Sequence, residues 1–428
     1  MQEELSTVTA GSLVLTLCLG ILLIVLPRRY ALAPMLIAGC YMTLGQVLVV
    51  EGIHFYLIRV LIVFGLIRLV VRKEILSVKL NVIDKLLIAW VVVHSFLYVI
   101  FDGTNVSLVE RLGVAYNALG IYFLIRALVW DFDDIIHTVK MLGVIIIPLA
   151  ALFVVEYFTG KNPFFVFGGV SEFSIVREGK LRCQGPFRHP ILAGTFGATA
   201  MPLFVGLWVY STRDRLLAAG AILAATIIVI ASSSSGPLLA YLASVVGLMC
   251  WRVKGNMRAI RWGAVVIVLA LQAFMKAPVW FLISRLSEIT GGTGWYRAAL
   301  IDAFIHNFDE WWLIGTAYTA HWMPTAVSGN PTRADIVNQF VAQGVNGGLL
   351  GLSLFIWMIV NCFKTTGEAV QTESRYSLPE QFMIWSLGCA IFSHVVSFLS
   401  VSYFDQIVIF WYMIIGMIVA LVHDEKAN

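Results

Sequence analysis

Apolar runs long enough to cross a hydrocarbon core recur along almost the whole chain, and nothing else in the sequence restricts its fold as much. They fall near residues 9–26, 31–50, 54–71, 84–101, 111–130, 141–158, 190–210, 215–232, 236–251, 261–283, 344–363, 382–401 and 404–422. The expected fold is all-α: a polytopic transmembrane helical bundle of about 12–13 spans, with residues 1–428 forming a single integral membrane domain. Composition agrees. Hydrophobic residues make up 60% of the chain and charged residues 13%, against about 25% charged in soluble domains. The first run, GSLVLTLCLGILLIVLP, follows the acidic start MQEEL and ends without a small-residue cleavage site, so it reads as a spanning helix and not a signal peptide. Cys18, Cys40, Cys250, Cys362 and Cys389 lie inside apolar runs, and Cys183 lies alone in a loop. This pattern argues against a disulfide framework or a cysteine metal site.

Lysines and arginines in short loops set the expected orientation. Alternate connections carry Arg28 and Arg29; Arg72, Lys73, Lys79 and Lys85; Lys140; Arg213 and Arg215; Arg252, Lys254, Arg258 and Arg261; and Lys364 with Arg375. The opposite set is nearly bare: EGIH, DGTN, SSSSGP and SVSYFDQ. The basic set is expected to be cytoplasmic, which puts the N-terminus outside and the C-terminus inside. SSSSGP is a short break that could be re-entrant.

Two long loops, 159–189 and 284–343, then face outward. The first holds Lys161, Arg177, Lys180, Arg182 and Arg188, and the second holds Arg285, Arg297 and Arg333. Long loops are exempt from the charge rule, so these cations leave the topology intact, and their concentration suggests a shared anionic ligand. Glu172, Glu178, Glu288, Asp302, Asp309 and Glu310 offer local partners, and Lys161, Arg177 and Lys180 are expected to use them.

No phosphate-binding loop, dinucleotide fingerprint, zinc spacing or nucleophile elbow is present. GGTGWY at 291–296 lacks the flanking elements such a motif requires. No nucleic acid and no cofactor are expected. An enzyme of this kind would draw its energy from an activated substrate.

RCQGPFRHP, residues 182–190, directly precedes an apolar run. Pro190 suits the first position of a helix. Arg188 and His189 then sit at the membrane edge, where free N–H groups and the helix dipole favour an anion and an arginine fork matches phosphate oxygens. Snorkelling to headgroups or capping of a loop carbonyl would use the same residues. In the second loop, Trp295 to Phe308 reads as a helix with Ala298, Ile301, Ile305 and Phe308 on one face, and Arg297 near its start. Trp311, Trp312 and Trp322 suit an interface or a sugar ring. Asp335, Asn338 and Gln339 are spaced to share one helical face, expected to line a cavity. Arg68 and Arg126 are close enough to span ends to snorkel, while Arg59, Arg111, Glu156 and His394 are expected to complete the outward cavity.

The order of R-x-x-G-x-x-x-H-P, a serine-rich break, R-x-x-x-x-D, an L-I-G-T turn and a polar stripe before G-x-x-G-G resembles the bacterial O-antigen ligase and O-antigen polymerase family. The motifs cover roughly residues 180–360. The resemblance implies metal-independent, inverting glycosyl transfer on the periplasmic face of the inner membrane, from an undecaprenyl-pyrophosphate-linked glycan to an acceptor glycan or lipid A core. It implies Arg182, Arg188, His189 and Arg297 at the pyrophosphate, with Arg297 also catalytic, and other polysaccharide assembly and export proteins as partners alongside membrane lipids; the polar stripe then puts Asn338 and Gln339 in the acceptor cavity. The chain departs from the family pattern twice. Ser232–Ser233–Ser234–Ser235 is followed by Gly236 where the family often has arginine, and no His-Asn pair precedes the glycine-opened helix. The ligase-or-polymerase choice stays open, and the general base falls to Asp335 or His321. A transporter or flippase of a lipid-linked saccharide is the alternative. It would also need an outward cationic cavity, and is expected to show discontinuous helices and repeat symmetry about a midplane site.

Overall fold

The computed structural model describes residues 6–50, 53–74, 79–102, 105–285, 294–323, 332–371 and 375–424. Residues 291–293 of GGTGWY, Glu288, and parts of EGIH and DGTN lie outside these. The chain is a polytopic all-α bundle. Its long helices are α1 (Ala10–Val25), α2 (Ala33–Tyr41), α3 (Leu57–Val71), α4 (Val82–Asp102), α5 (Asn105–Leu128), α6 (Phe132–Thr159), α7 (Pro190–Tyr210), α8 (Arg215–Ala231), α9 (Ser235–Met249) and α10 (Met257–Phe274). The second loop carries α11 (Gly294–His306) and the short α12 (Phe308–Trp311), and α13 (Gln339–Gln371), α14 (Leu378–Phe398) and α15 (Ile407–Asp424) follow. Among the described residues, seven helical runs are long and apolar enough to cross a membrane, with α9 and α10 counted as one run, and α1, α8 and α15 are shorter apolar helices.

The expected second span, 31–50, is not one helix. α2 ends at Tyr41, and Gln46–Val50 is a strand (β2) paired antiparallel with Ile53–Tyr56 (β3) and parallel with Ser6–Thr7 (β1). Two features explain the break. The stretch VLVV is β-branched and suits a strand. The Gln46 amide is also held by the Ser12 and Thr43 hydroxyls at 2.9 and 2.6 Å, which fixes the chain in an extended path. The tenth span also ends early, with helix α10 stopping at Phe274.

α7 and α15 are apolar on every side and almost wholly buried, as a helix surrounded by other helices must be. α7 packs against α8, α9 and α14, and Phe196 of α7 meets Phe410 of α15 at 4.3 Å. In lipid the packing of small residues, and not water exclusion, draws helices together. Gly197 illustrates this, since a Cβ there would lie 2.7 Å from the Ala225 carbonyl of α8.

Two arginines expected to snorkel are instead buried. The guanidinium of Arg68 forks onto both Glu74 oxygens at 2.8 and 2.7 Å and donates to the Leu23 and Leu26 carbonyls, closing the C-terminal end of α1. Arg126 pairs with Asp84 at 3.6 Å, and Tyr122 donates to the same carboxylate. Both carry charged partners inward, which is how a bundle accommodates an intramembrane cation away from lipid.

Candidate functional site

The RCQGPF segment is fixed at every backbone position that matters. Glu156, in the last turn of α6, is fully buried, and its two oxygens accept from the Gln184 and Gly185 N–H groups at 3.0 and 2.8 Å, and from the Ser174 hydroxyl at 2.8 Å. Asn162 donates to the Gly185 carbonyl at 2.7 Å, Gln406 to the Pro186 carbonyl at 2.7 Å, and the Cys183 N–H to the Ala231 carbonyl at 2.9 Å. Gly185 has a φ of 55°, and a Cβ there would lie 2.5 Å from the Phe153 ring, so glycine is needed for two reasons. Ahead of this segment, Ile175–Arg177 (β4) and Lys180–Arg182 (β5) form a hairpin that delivers Arg182.

The loop presents its polar groups to one region. Arg182 is buried and donates to the Ser234 hydroxyl at 2.8 Å, while its Nε has no hydrogen-bond partner. Ser234 is the N-cap of α9, and His189 is the N-cap of α7, its Nδ1 accepting from the Ile191 N–H at 3.2 Å. Pro190 is the first residue of α7, as its position in the sequence suggested. Arg297 of α11 donates to the Ser400 carbonyl at 3.2 Å. Ser400 also closes on the serine break, since a Cβ on Gly236 would lie 2.3 Å from its hydroxyl. Arg188 faces Asp405 at 3.8 Å. Arg182 and Arg297, with Arg177, thus act on one another near the N-termini of two long helices, and Arg188 directly precedes the N-cap of α7, an arrangement suited to an anion. The Gln184 side-chain amide is buried beside them with neither atom hydrogen-bonded.

The electrostatics reflect this crowding. Burial pushes Arg297 down to about 10, and the charges of Arg177 and Arg182 add to the effect. Arg182 is lowered by burial and by Arg177. His189 is lowered to about 4, by burial first and then by Arg182 and Arg177, so it is neutral near pH 7. Its neutral form is favoured in the folded state. The stability it contributes is therefore full above an unfolded value near 6.5 and is lost as pH falls toward about 4. The melting-temperature advantage of wild type over His189→Asn should shrink between pH 7 and pH 4.5; a constant difference would count against this account.

Lys161 and Arg177 pair with Glu172 and Glu178 at 3.4 and 3.8 Å, as expected of loop surface. Other expectations need correction. Residues 333–338 are not helical, so Asp335, Asn338 and Gln339 do not share a helical face. Asn338 is buried and caps α13, accepting from the Phe340 and Val341 N–H groups at 2.9 and 3.2 Å. Gln339 accepts from the Tyr403 N–H at 2.7 Å. Asp335 is exposed, its carbonyl accepts from the Tyr296 hydroxyl at 2.8 Å, and partial enclosure raises its carboxyl above the usual range. His321 lies 2.9 Å from Glu310 and stacks on Tyr318, with no contact to the arginines. On α11 Ala298 is fully buried and Ile301 half-buried, as expected, but the packed face also takes in Tyr296, Ala299, Leu300, Ala303 and Phe304, while Ile305 and Phe308 are exposed. Trp311 and Trp322 belong to the same small core, and Trp312 is exposed. Glu156 braces the loop. His394 is fully buried, 2.7 Å from the Tyr403 hydroxyl. Arg111 stacks over Tyr98 at 3.5 Å and Arg59 over Tyr56 at 5.1 Å.

Two motifs read separately in sequence turn out to be one contact. α13 breaks at Gly348, where φ is 61°, and the LIGT turn fills the break. The Leu349 N–H donates to the Trp312 carbonyl and the Thr316 N–H to the Val345 carbonyl, both at 2.8 Å.

Sequence reasoning missed the segment that joins the site. SVSYFDQ, read as a bare connection, supplies Ser400 to Arg297, Asp405 to Arg188 and Gln406 to Pro186, and its Tyr403 touches Gln339 and His394. Its one acidic residue and its glutamine were the available signal. No family model matches the chain, and no curated protein matches it in sequence.

Proposed function

We propose that the protein is a membrane glycosyltransferase of the O-antigen ligase and polymerase type, which transfers or polymerises a glycan carried on undecaprenyl pyrophosphate at the periplasmic face of a bacterial inner membrane. The observation that carries the reading is the grouping of Arg182 and Arg297 near the N-termini of α7 and α9, with the Arg182 Nε left without a partner and Arg188 at the head of α7. A pyrophosphate at the end of a polyprenyl chain has the charge for this site, and the lipid tail would keep it at the bundle end.

In this mechanism an acceptor hydroxyl oxygen attacks the anomeric carbon of the donor. The bond from that carbon to the phosphate oxygen breaks, and its electron pair leaves on the lipid pyrophosphate. The arginines stabilise the charge that develops there. Because the donor is already activated, the step draws on no other energy source. His189, neutral at working pH, contributes orientation of α7 and no charge.

Purified protein in detergent, given lipid-linked glycan extracted from the cells that make it, should release undecaprenyl pyrophosphate and extend or transfer the glycan without nucleotide. Movement of the lipid between leaflets with every sugar–phosphate bond intact would replace the transferase reading with the flippase one.

A further inference from the structure

We infer that Asp405 is the proton acceptor of the transfer step, held in check by Arg188 until the anionic donor binds; this rests on the glycosyl-transfer reading above. Three observations converge on it. The Asp405 carboxylate faces Arg188, which directly precedes the His189 N-cap of α7, with Oδ2 3.8 Å from Arg188 Nη1. Its backbone has a φ of 50°, a left-handed conformation that costs a non-glycine residue energy and persists only where neighbours impose it. Here they do. The next residue, Gln406, is buried and tied to the Met42 and Pro186 carbonyls at 2.9 and 2.7 Å, and the Asp405 carbonyl accepts from the Val408 N–H at the start of α15. The carboxylate is therefore aimed by the same loop that receives Arg297 on Ser400.

The two base candidates read from sequence lack this placement. His321 already contacts Glu310, and Asp335 is fixed through its carbonyl to Tyr296 with no arginine of the site facing its carboxylate among the described contacts.

The pairing with Arg188 gives the group a switch. Beside a guanidinium a carboxylate holds protons weakly and makes a poor base. A pyrophosphate that takes Arg188 removes that counter-charge and adds negative charge nearby, and both raise the proton affinity of Asp405. The base becomes competent when the donor is in place. The acceptor hydroxyl then forms its bond to the anomeric carbon, its proton passes to the Asp405 carboxylate, the carbon–oxygen bond to phosphate breaks, and the pyrophosphate leaves with the electron pair. The carboxylic acid returns its proton to water once the product departs.

Asp405→Asn tests this, because asparagine keeps the shape and tolerates the left-handed backbone. Turnover with the extracted lipid-linked glycan should fall about 100-fold or more. Binding of undecaprenyl pyrophosphate in detergent should hold or tighten about two- to fivefold, since the arginine loses a competing carboxylate. Asp405→Glu should recover part of the rate, and the acidic limb of the wild-type rate profile should vanish in Asp405→Asn. Asp335→Asn and His321→Ala should stay within a few-fold of wild type. Asp405→Asn turnover within about threefold of wild type, or parallel loss of binding and turnover, would overturn the assignment. So would a 100-fold loss in Asp335→Asn or His321→Ala with Asp405→Asn active. Failure of the wild-type protein to break any sugar–phosphate bond would instead sink the transferase reading itself.

Discussion

Arg297→Ala should abolish detectable glycan transfer, and Arg188→Ala should do nearly as much, each lowering turnover by about 10²–10³-fold while the protein still inserts and folds. Arg297 carries the larger expectation because it is enclosed among like charges, and burial together with Arg177 and Arg182 has already brought it down to about 10. At neutral pH it remains charged, yet the same surroundings would act on a lysine, which starts about two units lower. Arg297→Lys should therefore retain partial activity at low pH and lose it as pH rises, earlier than wild type does, since a cation with a lowered value is present below that value and lost above it. Arg188→Lys should be impaired with a flatter pH response, because what it loses is the planar fork. Rates for the four variants between pH 6 and pH 9, alongside binding of undecaprenyl pyrophosphate, give the comparison. Wild-type product amounts and lengths from both alanine variants would remove the anion clamp from the mechanism.

The second large effect is expected at a residue that braces the site loop and carries no role in the transfer step. Glu156→Ala should unfold at a markedly lower temperature than wild type and lose transfer activity with it. Its carboxylate receives three donors, and removing it strands the Gln184 and Gly185 N–H groups and the Ser174 hydroxyl in a place that water reaches poorly. Each stranded group costs about 1–3 kcal/mol. Glu156→Gln keeps one acceptor oxygen and should be intermediate. Melting curves in one detergent, read with activity after a fixed incubation, separate the three proteins. A Glu156→Ala melting temperature within about 2 °C of wild type would mean that something else holds the RCQGPF loop.

Much of the helical framework could be read from apolar run length, because a segment in lipid has to satisfy its own backbone. α7, α8 and α14 start and end within a few residues of the expected spans. The convergence of RCQGPFRHP and Arg297 was suggested by charge placement alone. Three kinds of information were not available to a reading of local pattern. A short apolar run can serve as a strand when a distant side chain pins it, as Ser12 does Gln46 at the start of β2. Spacing of three and four between polar residues mimics a helix face where the residues are a turn and its cap, as with Asp335, Asn338 and Gln339. Long-range partners also decide what a buried charge does. Arg68 and Arg126 looked like interfacial anchors because Glu74 and the carbonyls of α1, in one case, and Asp84, in the other, could not be seen to lie beside them.

The two hydrogen bonds of Gln406 have a bearing on how the protein is made. They tie a residue near the end of the chain to carbonyls 364 and 220 positions earlier. A ribosome adding about 5–20 residues per second inserts the RCQGPF loop tens of seconds before SVSYFDQ exists. During that interval Arg188 has no Asp405 to face, and Ser400 is not there to receive Arg297. The contacts of SVSYFDQ with Arg297, Arg188 and Pro186 therefore form after the helices that carry those partners. On the proposed reading, a chain made in this order completes its anion site only after the rest of the bundle has been threaded into the membrane.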